Sequence, residues 1–342
     1  MASPLTDRGA QPGRPTRRQL LAAGLALAVS GCTLSDPALR GQGPVKSAPS
    51  PALTPMPTPT APAPASVELR LAALAATVQA SPGRPTAASA AVLELVHRSH
   101  LERAAALTAP DPAARPTQNP SAPSPSPSPS ASPTPSRGEA VRSLVAAERR
   151  AASDHRRAAL AADGLTALLL GSMSVASGRF VVAVTAGHPP AAAPLQAHRP
   201  TALVADTDAV AALVSSLHAL VYGYQLALGR LPVGSGAHDR AAAGLQQRRA
   251  LLHRLSDVLV EAGAKVPAAS PAYQPSLEPT DARTAGLLIR RMETALVPFC
   301  GLWLAAAARP ADRTLALDTL AATTATAESW GAPLLAWPGY RD

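Results

Sequence analysis

Cysteine, lysine and aromatic residues are scarce in this chain. It has two cysteines and two lysines, Lys46 and Lys265, in 342 residues, and aromatics make up 3%. Two cysteines exclude a disulfide framework, a cysteine-rich zinc site and a thiolate-ligated cluster. So few aromatics exclude a platform on which nucleic-acid bases stack. Charged residues are few as well, at 15%, and although the net charge is +9, no run of five or more Arg or Lys occurs. The basic balance therefore reads as a solvated surface, with no nucleic-acid partner. Phosphate-binding glycine loops, a dinucleotide fingerprint and His-Glu-x-x-His are all missing. Gly234-Ser235-Gly236 lacks the strand–turn–helix context of a nucleophile elbow.

What the chain has is an address label. Residues 1–31 read as a signal peptide. Arg8, Arg14, Arg17 and Arg18 precede a short apolar stretch, Leu20 to Val29, which runs into Val29-Ser30-Gly31-Cys32. That stretch is about half the length a membrane-spanning helix needs. Small residues before a lone cysteine match a lipoprotein box, in which Cys32 is acylated and becomes the new N-terminus. Arg17 and Arg18, within Thr16-Arg17-Arg18-Gln19-Leu20-Leu21, look like a twin-arginine export signal. The expectation is a protein anchored by lipid to the outer face of the cytoplasmic membrane.

Proline is abundant, at 37 residues, and is clustered. Residues 32–65 are rich in Pro, Ser, Thr and Ala and bury too little apolar area to offset ordering, so they read as a disordered linker. A second such stretch, 109–136, contains Pro123-Ser124-Pro125-Ser126 and reads as a loop inside a folded region. Elsewhere the apolar period is helical. Eight helices are predicted, near 66–80, 86–108, 138–163, 165–187, 207–230, 237–263, 280–308 and 311–331. His188-Pro189-Pro190 and Arg199-Pro200 split them into two sets of four, 66–187 and 206–339. Two four-helix bundles are the simplest packing.

Helical wheels at 100° per residue then sort the polar residues. In the fifth helix Val210, Leu213, Val214, Leu217, Val221, Tyr224 and Leu228 form the stripe, with Asp206 or Thr207 as N-cap. In the seventh the stripe is Leu287, Leu288, Met292, Ala295, Leu296, Phe299 and Trp303, which turns Glu293 outward; His253 in the sixth also points away. A bundle of this kind invites a buried di-metal site, built from inward Glu and Glu-x-x-His. Glu94-Leu95-Val96-His97 has the letters, but Glu94 and His97 fall on the wet side. Glu148 and His155 fall inside the stripe of the third helix, Glu102 inside that of the second, and Arg179 near the edge of the fourth. They read as a buried polar network, Glu148 with His155 or Arg179, because buried ionisable groups need partners. As a metal set Glu102, Glu148 and His155 fall short of four carboxylates, and the arginine supplies the charge that a metal would bring. His218, at the edge of a stripe, reads as a hydrogen-bonded core residue. Cys300 reads as a small buried apolar residue.

The C-terminal set, from Asp206 to Gly339, resembles an uncharacterised actinobacterial domain family found in exported proteins. The resemblance rests on His218-Ala219-Leu220-Val221-Tyr222-Gly223-Tyr224, on Gln246-Gln247-Arg248-Arg249, on Pro271-Ala272-Tyr273 and on the closing Ala336-Trp337-Pro338-Gly339. It implies a ferritin-like four-helix bundle and an envelope address, but no reaction. Members often carry Glu just before the His; Leu217 stands there in this chain, against a metal. Helices one to four look like a more divergent version of the same bundle. The expected fold is therefore all-α, two ferritin-like bundles after a signal peptide and a Pro-rich stalk. The expected role is non-catalytic binding of an envelope protein or wall polymer, with no cofactor. The alternatives are a ferritin-like iron protein or di-iron oxidase, and a bundle that holds a small ligand.

Overall fold

Helix starts in this chain are written by capping residues. Ser136 accepts from the backbone N–H of Glu139, and the Glu139 carboxylate accepts from the backbone N–H of Ser136 in return. Asp281 and Thr284 form the same reciprocal box, and Thr86 and Ser235 cap two further helices. Each cap satisfies N–H groups that have no partner within the helix. The computed structural model describes residues 63–83, 85–109, 135–187, 189–194 and 202–340. Cys32, Arg17, Arg18, the linker up to residue 62 and the loop stretch 110–134 lie outside them.

The described residues form eight helices: α1 Ala63–Ala80, α2 Ala87–Thr108, α3 Arg137–Ala161, α4 Gly164–Thr185, α5 Asp206–Leu228, α6 Gly236–Glu261, α7 Ala282–Ala306 and α8 Pro310–Ser329. The fold is all-α, as the periodicity predicts; among the described residues no strand forms beyond an isolated bridge between Ala192 and Leu334. The α5 cap is Ala205, with no side-chain bond, and Asp206 is the first helical residue. Its carboxylate turns instead toward the Ala308 backbone and the Trp303 indole.

The described residues gather into two cores. In the first, Leu71, Val92, Val96, Leu144, Leu168, Met173 and Phe180 of α1–α4 come together. In the second, Leu213, Leu217, Tyr224, Leu255, Ile289, Leu296, Trp303 and Leu320 of α5–α8 do. α4 joins them, packing on α2 and α3 and also on α7 and α8. It has the length and apolarity to cross a bilayer, as has α5; 67% of that apolar stretch of α4 is buried within the fold, and 44% of that of α5. All described residues fall in one compact unit.

The segment after α8 departs from a plain bundle. Residues Leu334, Ala336, Trp337 and Tyr340 leave the second set of helices and enter the first core. The Leu334 N–H donates to Ala191 O at 2.7 Å, and the Ala193 N–H to Leu334 O at 3.1 Å. The crossing over α7 needs glycine on both sides. A Cβ on Gly301 would lie 2.0 Å from Gly339 O, and Gly339 has φ +93°, where side chains are strained.

Candidate functional site

α2 continues its buried stripe through polar residues. Val92, Val96, Ser99 and Arg103 follow one another at spacings of four, three and four, and Leu93 leads to His100. α1 sets Glu68 between Ala65 and Leu71, and α3 sets Glu148 and His155 on the face of Leu144. The three helices therefore converge on one buried polar centre. His100 Nδ1 lies 2.8 Å from Glu68 Oε2, and His100 Nε2 lies 2.6 Å from Glu148 Oε1. His155 Nε2 reaches the other Glu68 oxygen at 2.7 Å. A carboxylate only accepts, so an imidazole between two carboxylates must donate from both nitrogens, as an imidazolium.

The charges support that state. Burial lowers the affinity of His100 for its proton, but Glu148 and Glu68 outweigh it and raise the imidazole above its ordinary range. Burial pushes Glu68 up, yet hydrogen bonds from His100 and His155 and the charges of His100 and Arg103 hold it well below the usual carboxylate range. Arg103 is fully buried and stands 3.9 Å from Glu68 Oε2. It donates to Ser177 Oγ at 3.4 Å and to Ala336 O at 3.0 Å, and lies over the rings of Phe180 and Trp337.

A second centre sits among α5–α8. Arg248 grips Glu293 as a fork, Nε to Oε1 at 2.9 Å and Nη2 to Oε2 at 2.6 Å. Tyr224 Oη donates to Glu293 Oε1 at 2.6 Å, and Arg248 Nη1 donates to Thr323 Oγ1 at 3.2 Å. Glu293 has no exposed surface. Cys300 lies beside Thr323, and burial pushes its thiol up to about 11, so it is no nucleophile near neutral pH.

The expected network is thus rearranged. Glu148 and His155 both belong to the first centre, but they bond His100 and Glu68 and not one another. Arg179 is elsewhere: its Nε donates to Glu328 Oε2 at 2.8 Å, tying α4 to α8. It cannot serve Glu148, because α4 turns Ser177 and Phe180 toward that centre. Glu102 is half-buried beside the Trp337 indole, with its carboxyl pushed up by burial. Glu293, expected to face water, is the heart of the second centre. α7 buries a broader arc than the wheel allowed, from Ala285 through Ile289 to Cys300, while Ala295 is exposed. His218 is half-buried, with Nε2 3.1 Å from Pro267 O. Glu94 is exposed, and His97 bonds Ala72 O. The sequence marks Tyr224 only as part of an apolar stripe and Arg248 only as part of a motif, and assigns Glu68, His100 and Arg103 no role, although each continues a three-or-four spacing of buried neighbours.

Among the described residues, no group of three or more His, Cys, Asp and Glu is arranged to hold a metal ion. Surface grooves of about 260, 280 and 450 Å³ open beside Val258 and Arg309, over Gly178 and Ala321, and beside Pro85 and Leu93.

Among the described residues, eight helices packed around two buried polar centres define an all-helical protein. Residues 209–342, which hold α5–α8, match the family described as Domain of unknown function (DUF4439). One similar solved structure is that of rv2844, a conserved hypothetical protein from Mycobacterium tuberculosis. It is 26% identical over 36% of this chain and 93% of that chain, with a TM-score of 0.35. No curated protein matches the chain.

Proposed function

We propose that this chain is an exported, lipid-anchored envelope protein whose ferritin-like bundles bind a partner and catalyse no reaction. The lipoprotein box ending at Cys32 supports the anchor, and the export signal at Arg17 and Arg18 supports the route. The partner class is another envelope protein or a wall polymer, met at the outer face of the cytoplasmic membrane. The observation that carries the non-catalytic reading is the charge balance inside each centre.

A di-iron centre of the ferritin type takes about four carboxylates and two imidazoles. The second centre offers one carboxylate, Glu293, already saturated by a guanidinium fork and a phenol. The first offers Glu68 and Glu148, and both nitrogens of His100 are committed to them. Arg103 adds a fixed positive charge beside Glu68. These donor sets do not fit two iron ions.

Elemental analysis of the purified protein tests this directly. The expectation is no stoichiometric iron. About two irons per chain, lost in Glu148→Ala, would overturn the reading and make the protein a candidate oxidase. Cys32→Ala tests the anchor: the protein should lose lipid labelling and leave the membrane fraction, and continued labelling would refute the assignment.

A further inference from the structure

The segment 332–340 and the first centre share one side chain. Arg103 is the residue by which a buried carboxylate of α1 and the backbone of the closing segment are both touched. One Nη lies 3.9 Å from Glu68 Oε2 and the other donates to Ala336 O at 3.0 Å. Its plane faces Trp337 at 5.7 Å and Phe180 at 5.0 Å. We infer that Arg103 couples the polar centre of the first bundle to residues 332–340 of the second, so that a change at Glu68 is felt in the closing segment and the reverse.

The reason is the shortage of alternatives. Arg103 is completely buried, so water cannot take over a hydrogen bond it loses. Its guanidinium is planar, and a shift toward or away from Glu68 moves the group that holds Ala336 and faces Trp337. The closing segment is also pinned between glycines, Gly301 and Gly339, which leave no slack for it to follow independently. The α4–α8 tie, Arg179 with Glu328, is partly exposed and involves neither Glu68 nor the closing segment. It is the natural control. Coupling between two sites is reciprocal, which makes the inference testable from both ends.

Hydrogen exchange on the full chain, read by mass spectrometry, supplies the test. In Arg103→Gln the amides of 332–340 and of 191–193 should exchange about tenfold faster, as expected for losing a buried charged hydrogen bond. α5 and α6 should keep their wild-type protection. Glu68→Gln, which never touches the segment, should accelerate the same amides by a few-fold. Trp337→Leu keeps an apolar side chain in the core, and should accelerate exchange in α1 around Glu68; it carries the test if Arg103→Gln does not fold. Arg179→Gln should leave 332–340 unchanged. The inference fails if α5 and α6 loosen as much as the segment. It fails equally if Glu68→Gln leaves 332–340 as protected as in the wild type, or if Trp337→Leu leaves α1 so.

Discussion

Glu148 and Glu293 each stand twelfth in a helix of 25 residues, and further positions line up with them. Ala140 and Ala285, Leu144 and Ile289, Ala151 and Leu296, His155 and Cys300, and Ala159 and Leu304 are buried in the same register of α3 and α7. From that shared frame the two centres diverge. In the second, one guanidinium satisfies both oxygens of one carboxylate, in a geometry that needs no titratable partner. In the first, two carboxylates share a proton-bearing imidazolium, and the arginine stands back to serve another part of the molecule. One frame therefore tolerates two ways of neutralising a buried carboxylate. One is fixed in charge and the other depends on a bound proton.

The sharpest way to break the comparison is in the second bundle. Arg248→Met strands Glu293 without its countercharge and should cost about 3–5 kcal/mol of unfolding free energy. Arg248→Met with Glu293→Leu should recover most of that loss, measured by urea denaturation. A double variant as unstable as the single one would mean that packing, and not charge, holds this centre.

Glu148→Ala should cost less, about 1–3 kcal/mol, because His100 keeps its bond to Glu68 while its second N–H is left unpaired. Equal losses in Glu148→Ala and Arg248→Met would erase the difference between the centres.

Acidity should separate them further. His100 is raised above its ordinary value of 6.5, so its contribution is complete below that pH and is lost as pH rises through the raised value. Glu68 is lowered from 4.5, so its contribution is complete above that pH and is lost as pH falls through the lowered value. Stability from the first centre is thus greatest between about pH 4.5 and 6.5. His100→Gln should flatten the alkaline side of the stability profile, and an unchanged slope there would remove His100 as its source. The smallest effect is expected at His218, where the half-buried bond to Pro267 O makes His218→Ala cost less than about 1 kcal/mol by thermal unfolding.

The architecture was readable from the sequence because eight stretches keep a 3.6-residue apolar period and the prolines interrupt them where turns occur. The centres were harder to read, for a physical reason. A helical wheel assigns charge to water, and in α2, α6 and α7 the charged residues sit in the middle of the buried stripe. Arg248 lies between Leu245 and Leu255, and Arg103 follows Ser99 in step, so the spacing did carry the signal. The partners did not show. Nothing local in α1 says that Glu68 will meet His155 87 residues later, or that Arg103 will meet Ala336 at a separation of 233.

That last separation bears on the order in which the chain can assemble. Leu334, Ala336, Trp337 and Tyr340 belong to the first core, so helices made early wait for residues made late. Until then Arg103 has no Ala336 carbonyl, and part of the α2–α4 surface is uncovered. Contacts so distant in sequence close slowly, since the loop entropy is spent before any contact rewards it. The first four helices are therefore expected to pass through a collapsed, aggregation-prone stage during synthesis, and to become native only when the final segment lies down across α7.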